Sequence, residues 1–89
     1  MKEIKKESHA GLKKTRLIID YSKLKGKIVE NCGTRKNFAK EMGLSERSIS
    51  LKLNSKVDFS QTEIAKALSI LNIQPSEIDE YFFRYKKVL

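Results

Sequence analysis

A compact all-α domain of five short helices is the fold class this sequence predicts, and three observations carry the prediction. The 89 residues suffice for one small domain around one modest core. Apolar residues recur at helical spacings of three and four, and no segment demands a sheet. Four segments also start alike, with apolar residues on either side of a polar cap. That is the hydrophobic staple, which sets the angle at which a helix departs. Independent local signals that agree are stronger than any one of them.

Residues 1–19 read as a basic arm and 20–89 as the folded domain. The arm holds Lys2, Lys5, Lys6, Lys13, Lys14 and Arg16 against Glu3 and Glu7. Its apolar residues sustain no helical stripe, so a loosely packed tail is one reading. A basic arm following a nucleic-acid backbone is another, and a strand at Leu17–Ile19 pairing with a partner chain is a third. Asp20 is the expected N-cap of the first helix, with Ile19 and Leu24 as its staple. The inward stripe is Leu24, Ile28, Val29 and Cys32, and Asn31 with Gly33 ends it. Gly26 inside this helix costs about 1 kcal/mol relative to alanine, which points to close helix packing at that position.

The second and third helices come from Thr34–Asn54. Thr34 caps the first of them, and Phe38, Ala39 and Met42 form its inner face. Gly43 stops it on a left-handed residue at no steric cost. Ser45 caps the next helix, which turns Ile49 and Leu53 inward, with Leu44 and Ile49 as the staple. Two helices joined by about three residues around a glycine make a helix-turn-helix. Glu46, Arg47, Ser48, Ser50 and Lys52 face outward.

Lys56, Val57 and Asp58 form a loop. A capping box of Ser60 and Glu63, stapled by Phe59 and Ile64, opens the fourth helix on the stripe Ile64, Ala65, Leu68 and Leu71. Pro75 stands at the first position of the fifth, after the poor cap Gln74. Tyr81, Phe82, Phe83 and Tyr85 exceed what one amphipathic face buries, so they are the expected homodimer interface, or else a cluster closing the base of the domain.

Composition narrows the function. One cysteine forms no internal disulfide and no cysteine-based zinc cluster, which fits a reducing cytoplasm. Cys32 reads as a half-buried core position. No apolar run reaches a membrane span, and nothing at the N-terminus resembles a secretory signal. With His9 alone in the arm, no metal-ligand set and no glycine-rich phosphate loop, neither enzyme nor cofactor is expected. Asp79 and Glu80 read as charge near the start of the last helix. The net charge of +8 is uneven: residues 1–36 carry +7, residues 37–56 carry +2, and residues 57–89 carry −1. A polyanion-binding face opposite a packing face would give this pattern.

Residues 35–54 resemble the helix-turn-helix of the Cro and phage-repressor type. Ala39 stands at the small site of its first helix, Gly43 at the turn and Ile49 at the buried aliphatic, with Phe38, Met42 and Leu44 at the other apolar sites. The likeness runs from about Asp20 to Phe83, and the segments 20–26, 44–54 and 78–83 look like short phage and prophage proteins of that family. One departure stands out: three positions after Ile49 the family often has an apolar residue, and here it is Lys52.

The resemblance implies a regulator whose third helix enters the major groove of a palindromic operator, commonly as a dimer. On that reading Thr34, Arg35, Asn54 and Lys56 hold phosphates, and Arg47 reads guanine. Glu46 either holds Arg47, complements the helix dipole or accepts from cytosine. Ser45, Ser48 and Ser50 add hydrogen bonds. Leu51 and Lys52 complete the expected interface, with Leu51 either on a thymine methyl or packed on a neighbouring helix. A rival reading keeps the fold and changes the partner: an interaction protein that binds a phage repressor and modulates it, since fold does not fix function.

Overall fold

The structure, a computed structural model, describes residues 16–88. The expectations for the arm before residue 16 lie outside the described residues. Strand β1 (Arg16–Ile19) is followed by helices α1 (Ser22–Cys32), α2 (Arg35–Met42), α3 (Glu46–Leu53) and α4 (Gln61–Ile70). A 3-10 turn (Pro75–Glu77) runs into the short α5 (Ile78–Phe82), and β2 (Tyr85–Val88) ends the described chain. The all-α class and the five helices are as the sequence predicts. The small sheet is an addition.

That sheet pairs the two ends of the domain. β1 and β2 run antiparallel with Ile19 opposite Tyr85 and Arg16 opposite Val88. The Leu17–Ile19 run is thus a strand, paired with its own chain. The amide of Asp20 donates to the Arg84 carbonyl and continues the ladder. Each strand has four residues, too few for alternation to stand out in the sequence.

The helix starts show which local signals win. Thr34 Oγ1 accepts from the Asn37 amide at 3.0 Å, and Ser45 Oγ from the Ser48 amide at 3.0 Å. Ser60 and Glu63 close a full capping box, at 3.1 and 2.9 Å. Each such cap contributes about 0.5–2 kcal/mol. α1 starts later than expected: Asp20 Oδ1 accepts from the Ser22 amide at 3.0 Å, which leaves Tyr21 at the cap position. Tyr21 takes that place because its ring is buried in the core.

The core gathers Leu24 and Ile28 from α1, Phe38, Ala39 and Met42 from α2, Ile49 and Leu53 from α3, and Ala67 with Leu71 at α4. Phe59, Ile73, Tyr81, Phe82 and Tyr21 close its base, and Cys32 packs half-buried against it. Tyr21, Phe59 and Phe82 meet edge to face, with centroids 5.4–6.5 Å apart. Such pairs contribute about 0.5–1.5 kcal/mol each beyond area burial.

Two predicted stripes are corrected. Val29 is 60% exposed, so α1 buries only Leu24 and Ile28 fully. On α4 it is Ala67 that faces the core, which turns Ile64 and Leu68 half outward and leaves Ala65 exposed. Side-chain ties lock the helices: Asn31 Nδ2 donates to the Leu71 carbonyl at 3.1 Å, Asn37 Nδ2 to Cys32 at 2.9 Å, and Lys66 Nζ to Met42 at 3.3 Å.

Gly26 serves no packing. It has ordinary helical backbone, is exposed, and an added Cβ would meet nothing within 4 Å. Gly26→Ala should therefore stabilise the domain by about 0.5–1 kcal/mol. Thermal melting is the check, with a rise of several degrees expected for a domain of this size. An unchanged or lower midpoint would show that the glycine is needed.

Candidate functional site

The helix-turn-helix is built as its sequence demands. Gly43 adopts φ 75°, ψ 27°, and the amide of Leu44 returns to the Ala39 carbonyl at 2.9 Å, so the chain turns sharply from α2 into α3. Glu46, Arg47, Asn54 and Lys56 stand exposed on the outer side, and Arg35, Ser48, Ser50 and Leu51 are half-buried. The hydroxyl oxygens of Thr34 and Ser45, expected at DNA, are engaged as caps. Leu51 is not among the residues packed against the core, and its carbonyl accepts from the amides of Lys56 and Val57.

Lys52 departs most from expectation. It is 7% exposed and sits beside Ile49 and Leu53 in the buried face of α3. The lysine thus occupies the apolar site itself. Its methylene stem lies in the core and its ammonium finds partners at the edge, as long cationic side chains do. Lys52 Nζ donates to the Asp58 carbonyl at 3.0 Å and pairs with Glu63 Oε1 at 3.1 Å. It also lies 5.8 Å from the centroid of the Phe59 ring. Such a lysine reaches no base. The sequence carried the signal in the departure at position 52, but nothing there identified Glu63 as the partner.

The C-terminal aromatics divide in two. Tyr81 and Phe82 are 6% and 1% exposed, so they belong to the core and leave the expected dimer interface. Phe83 and Tyr85 are 42% and 57% exposed. They border an apolar groove on the face made by α4 and α5. One end is lined by Ile19, Tyr21, Phe59, Ile64, Phe83 and Tyr85, and the other by Ala65, Leu68, Ile78 and again Ile64 and Phe83. The outward-turned part of the α4 stripe therefore forms one wall. One acidic residue, Asp58, stands in the lining of this groove. Lys23 of α1 pairs with Glu80 and lies 4.9 Å from the Tyr81 ring centroid, tying α1 to α5.

Among the described residues, no group of three or more His, Cys, Asp or Glu is placed to hold a metal ion. No helix among them is long and apolar enough to cross a membrane.

Two comparisons with known proteins bear on the function. Residues 17–85 match the family described as "protein of unknown function (DUF739)". The solution structure of the modulator of repression of the temperate bacteriophage TP901-1 from Lactococcus lactis is 57% identical, with a TM-score of 0.66. The match covers 73% of this chain and 88% of that one. No curated protein matches. The expectation of a Cro-like regulator that itself reads operator DNA is overturned by this likeness, since so near a relative is a modulator of repression.

The Lys52–Glu63 corner carries a pH signature. The hydrogen bond from the Ser60 amide above all holds the Glu63 carboxyl below its ordinary range; burial opposes it, and the Lys52 ammonium adds to the lowering. A carboxyl lowered in the folded state contributes stability above its unfolded pKa of about 4.3 and loses it as pH falls through the folded value. Glu63→Gln should be less stable than the native chain at pH 7, and the gap should narrow below about pH 4.3. Urea midpoints at a series of pH values measure it. A gap that stays constant into acid would mean that the charge of Glu63 contributes nothing.

Proposed function

The chain belongs to the DUF739 family, and we propose that it modulates repression by binding a phage repressor protein through the α4–α5 groove. The observation that carries this reading is the 57% identity to the TP901-1 modulator. Three structural features agree with it. The groove leaves Phe83 and Tyr85 open to water beside a wall of Ile64, Ala65 and Leu68, a larger exposed apolar patch than scattered surface residues give. Aromatic side chains at such a place are the usual anchors of a protein interface. Lys52, expected in the DNA-reading set, is spent inside the fold.

Charge favours the same face. A DNA-binding repressor must present basic surface to phosphates. The groove carries Asp58 in its lining and draws most of its residues from the third of the chain that carries −1 while the whole carries +8. In this reading Phe83 and Tyr85 serve a repressor and not a second copy of the chain. The setting is the bacterial cytoplasm, where the repressor works.

The test is calorimetric titration of the purified chain against the repressor encoded by the same phage. Native chain should bind. Phe83→Asp should weaken binding by at least about thirtyfold, the effect of losing a central anchor of about 2 kcal/mol. Arg47→Ala should bind as the native chain does. Unimpaired binding by Phe83→Asp would remove the groove from the account. A gel shift of operator DNA by the chain alone, abolished by Arg47→Ala, would overturn the function itself.

A further inference from the structure

Among the described residues Lys52 is the one buried charged side chain, and its surroundings give it more than a packing role. A buried ammonium is costly unless it is paired and hydrogen-bonded. Lys52 meets that requirement entirely within one short stretch of chain. It holds the carbonyl of Asp58 at 3.0 Å, faces the ring of Phe59, and pairs with the carboxylate of Glu63 at 3.1 Å. The same Glu63 oxygen accepts from the Ser60 amide at 2.9 Å. The corner from residue 58 to residue 63, where the loop becomes α4, is therefore fixed from its inner side by one group on α3.

The outer side of that corner is the groove. Asp58, Phe59, Gln61 and Ile64 all line it. We propose that Lys52 is a positioning residue for this groove: its buried ammonium holds the loop-to-α4 corner in the arrangement that a docking repressor meets. The inference rests on the groove as the repressor-binding face, and it assigns to α3 a use that replaces DNA reading. Stability alone does not account for a lysine here. An apolar residue of similar volume in place of a buried ion pair is commonly neutral or stabilising. Ile49 and Leu53 show that this face of α3 accepts apolar side chains. What methionine at position 52 could not do is grip a carbonyl, a ring and a carboxylate at once.

Two variants and one control test it. Lys52→Met keeps the stem and removes the charge. Glu63→Gln keeps an acceptor for the Ser60 amide and weakens the pair, and it serves if Lys52→Met does not fold. Ile28→Val, on α1 and away from the corner, supplies a core defect of ordinary kind. Backbone amide shifts of each folded variant are recorded without any partner, and affinity for the repressor is then measured well below each melting temperature. Lys52→Met should move the amides of residues 58–64 and weaken binding about tenfold or more, with Glu63→Gln showing the same pattern at smaller size. Ile28→Val should bind within about twofold of the native chain.

Native-like affinity in folded Lys52→Met, or an equal loss in Ile28→Val, would overturn the positioning role. A native chain that fails to bind the repressor would instead sink the function proposed above. The amide shifts then decide the role of Lys52 in shaping the groove: changes confined to 58–64 uphold it, and changes spread over the domain or missing overturn it.

Discussion

The pairing of Lys52 with Glu63 fixes the junction on which the rest of the described structure closes. It joins the end of the helix-turn-helix to the start of α4, across the loop that delivers Phe59 to the core. Phe59 in turn meets Tyr21 and Phe82, which anchor the start of α1 and the end of α5. A single charged group thus stands at the hub of contacts that reach every helix but α2. Removing Glu63 would leave the buried Lys52 ammonium without its counter-charge, and that makes the pair demanding once the fold contains it.

The groove follows from the same arrangement. Because Ala67 faces the core, α4 approaches closely there and turns Ile64, Ala65 and Leu68 toward α5. α5 is only five residues long and ends at Phe82, too short to cover that stripe. The chain then leaves as β2 to pair with β1, carrying Tyr85 to the other end of the groove. Helix length, helix rotation and a strand pairing between the two ends of the domain combine to leave apolar surface uncovered.

Much of the fold was legible in the sequence because helix starts are local. Thr34, Ser45 and the Ser60–Glu63 box each act within one turn, so residue type and spacing suffice to find them. The turn at Gly43 is legible for the same reason. The sheet was not, since Ile19 and Tyr85 acquire meaning only when the ends of the domain meet. Nor was the rotation of α4, where a small alanine proved to be the buried residue. At the site, the sequence marks four C-terminal aromatics as surplus apolar surface but does not separate Tyr81 and Phe82, which the short α5 turns inward, from Phe83 and Tyr85, which follow it and stay exposed. The burial of Lys52 is hidden from the sequence for a stronger reason. A lysine on the outer helix of this motif suggests phosphate by residue type, and only Glu63 in three dimensions reveals that it is inside.

The account stands or falls on which face meets the partner. Isotope-labelled chain, titrated with unlabelled repressor and followed by amide and methyl chemical shifts, reports that face directly. Perturbations gathered at Ile64, Ala65, Leu68, Phe83 and Tyr85, with operator DNA alone producing none, are the predicted result. Perturbations centred on Arg35, Arg47 and Ser50, whether from repressor or from DNA, would contradict it.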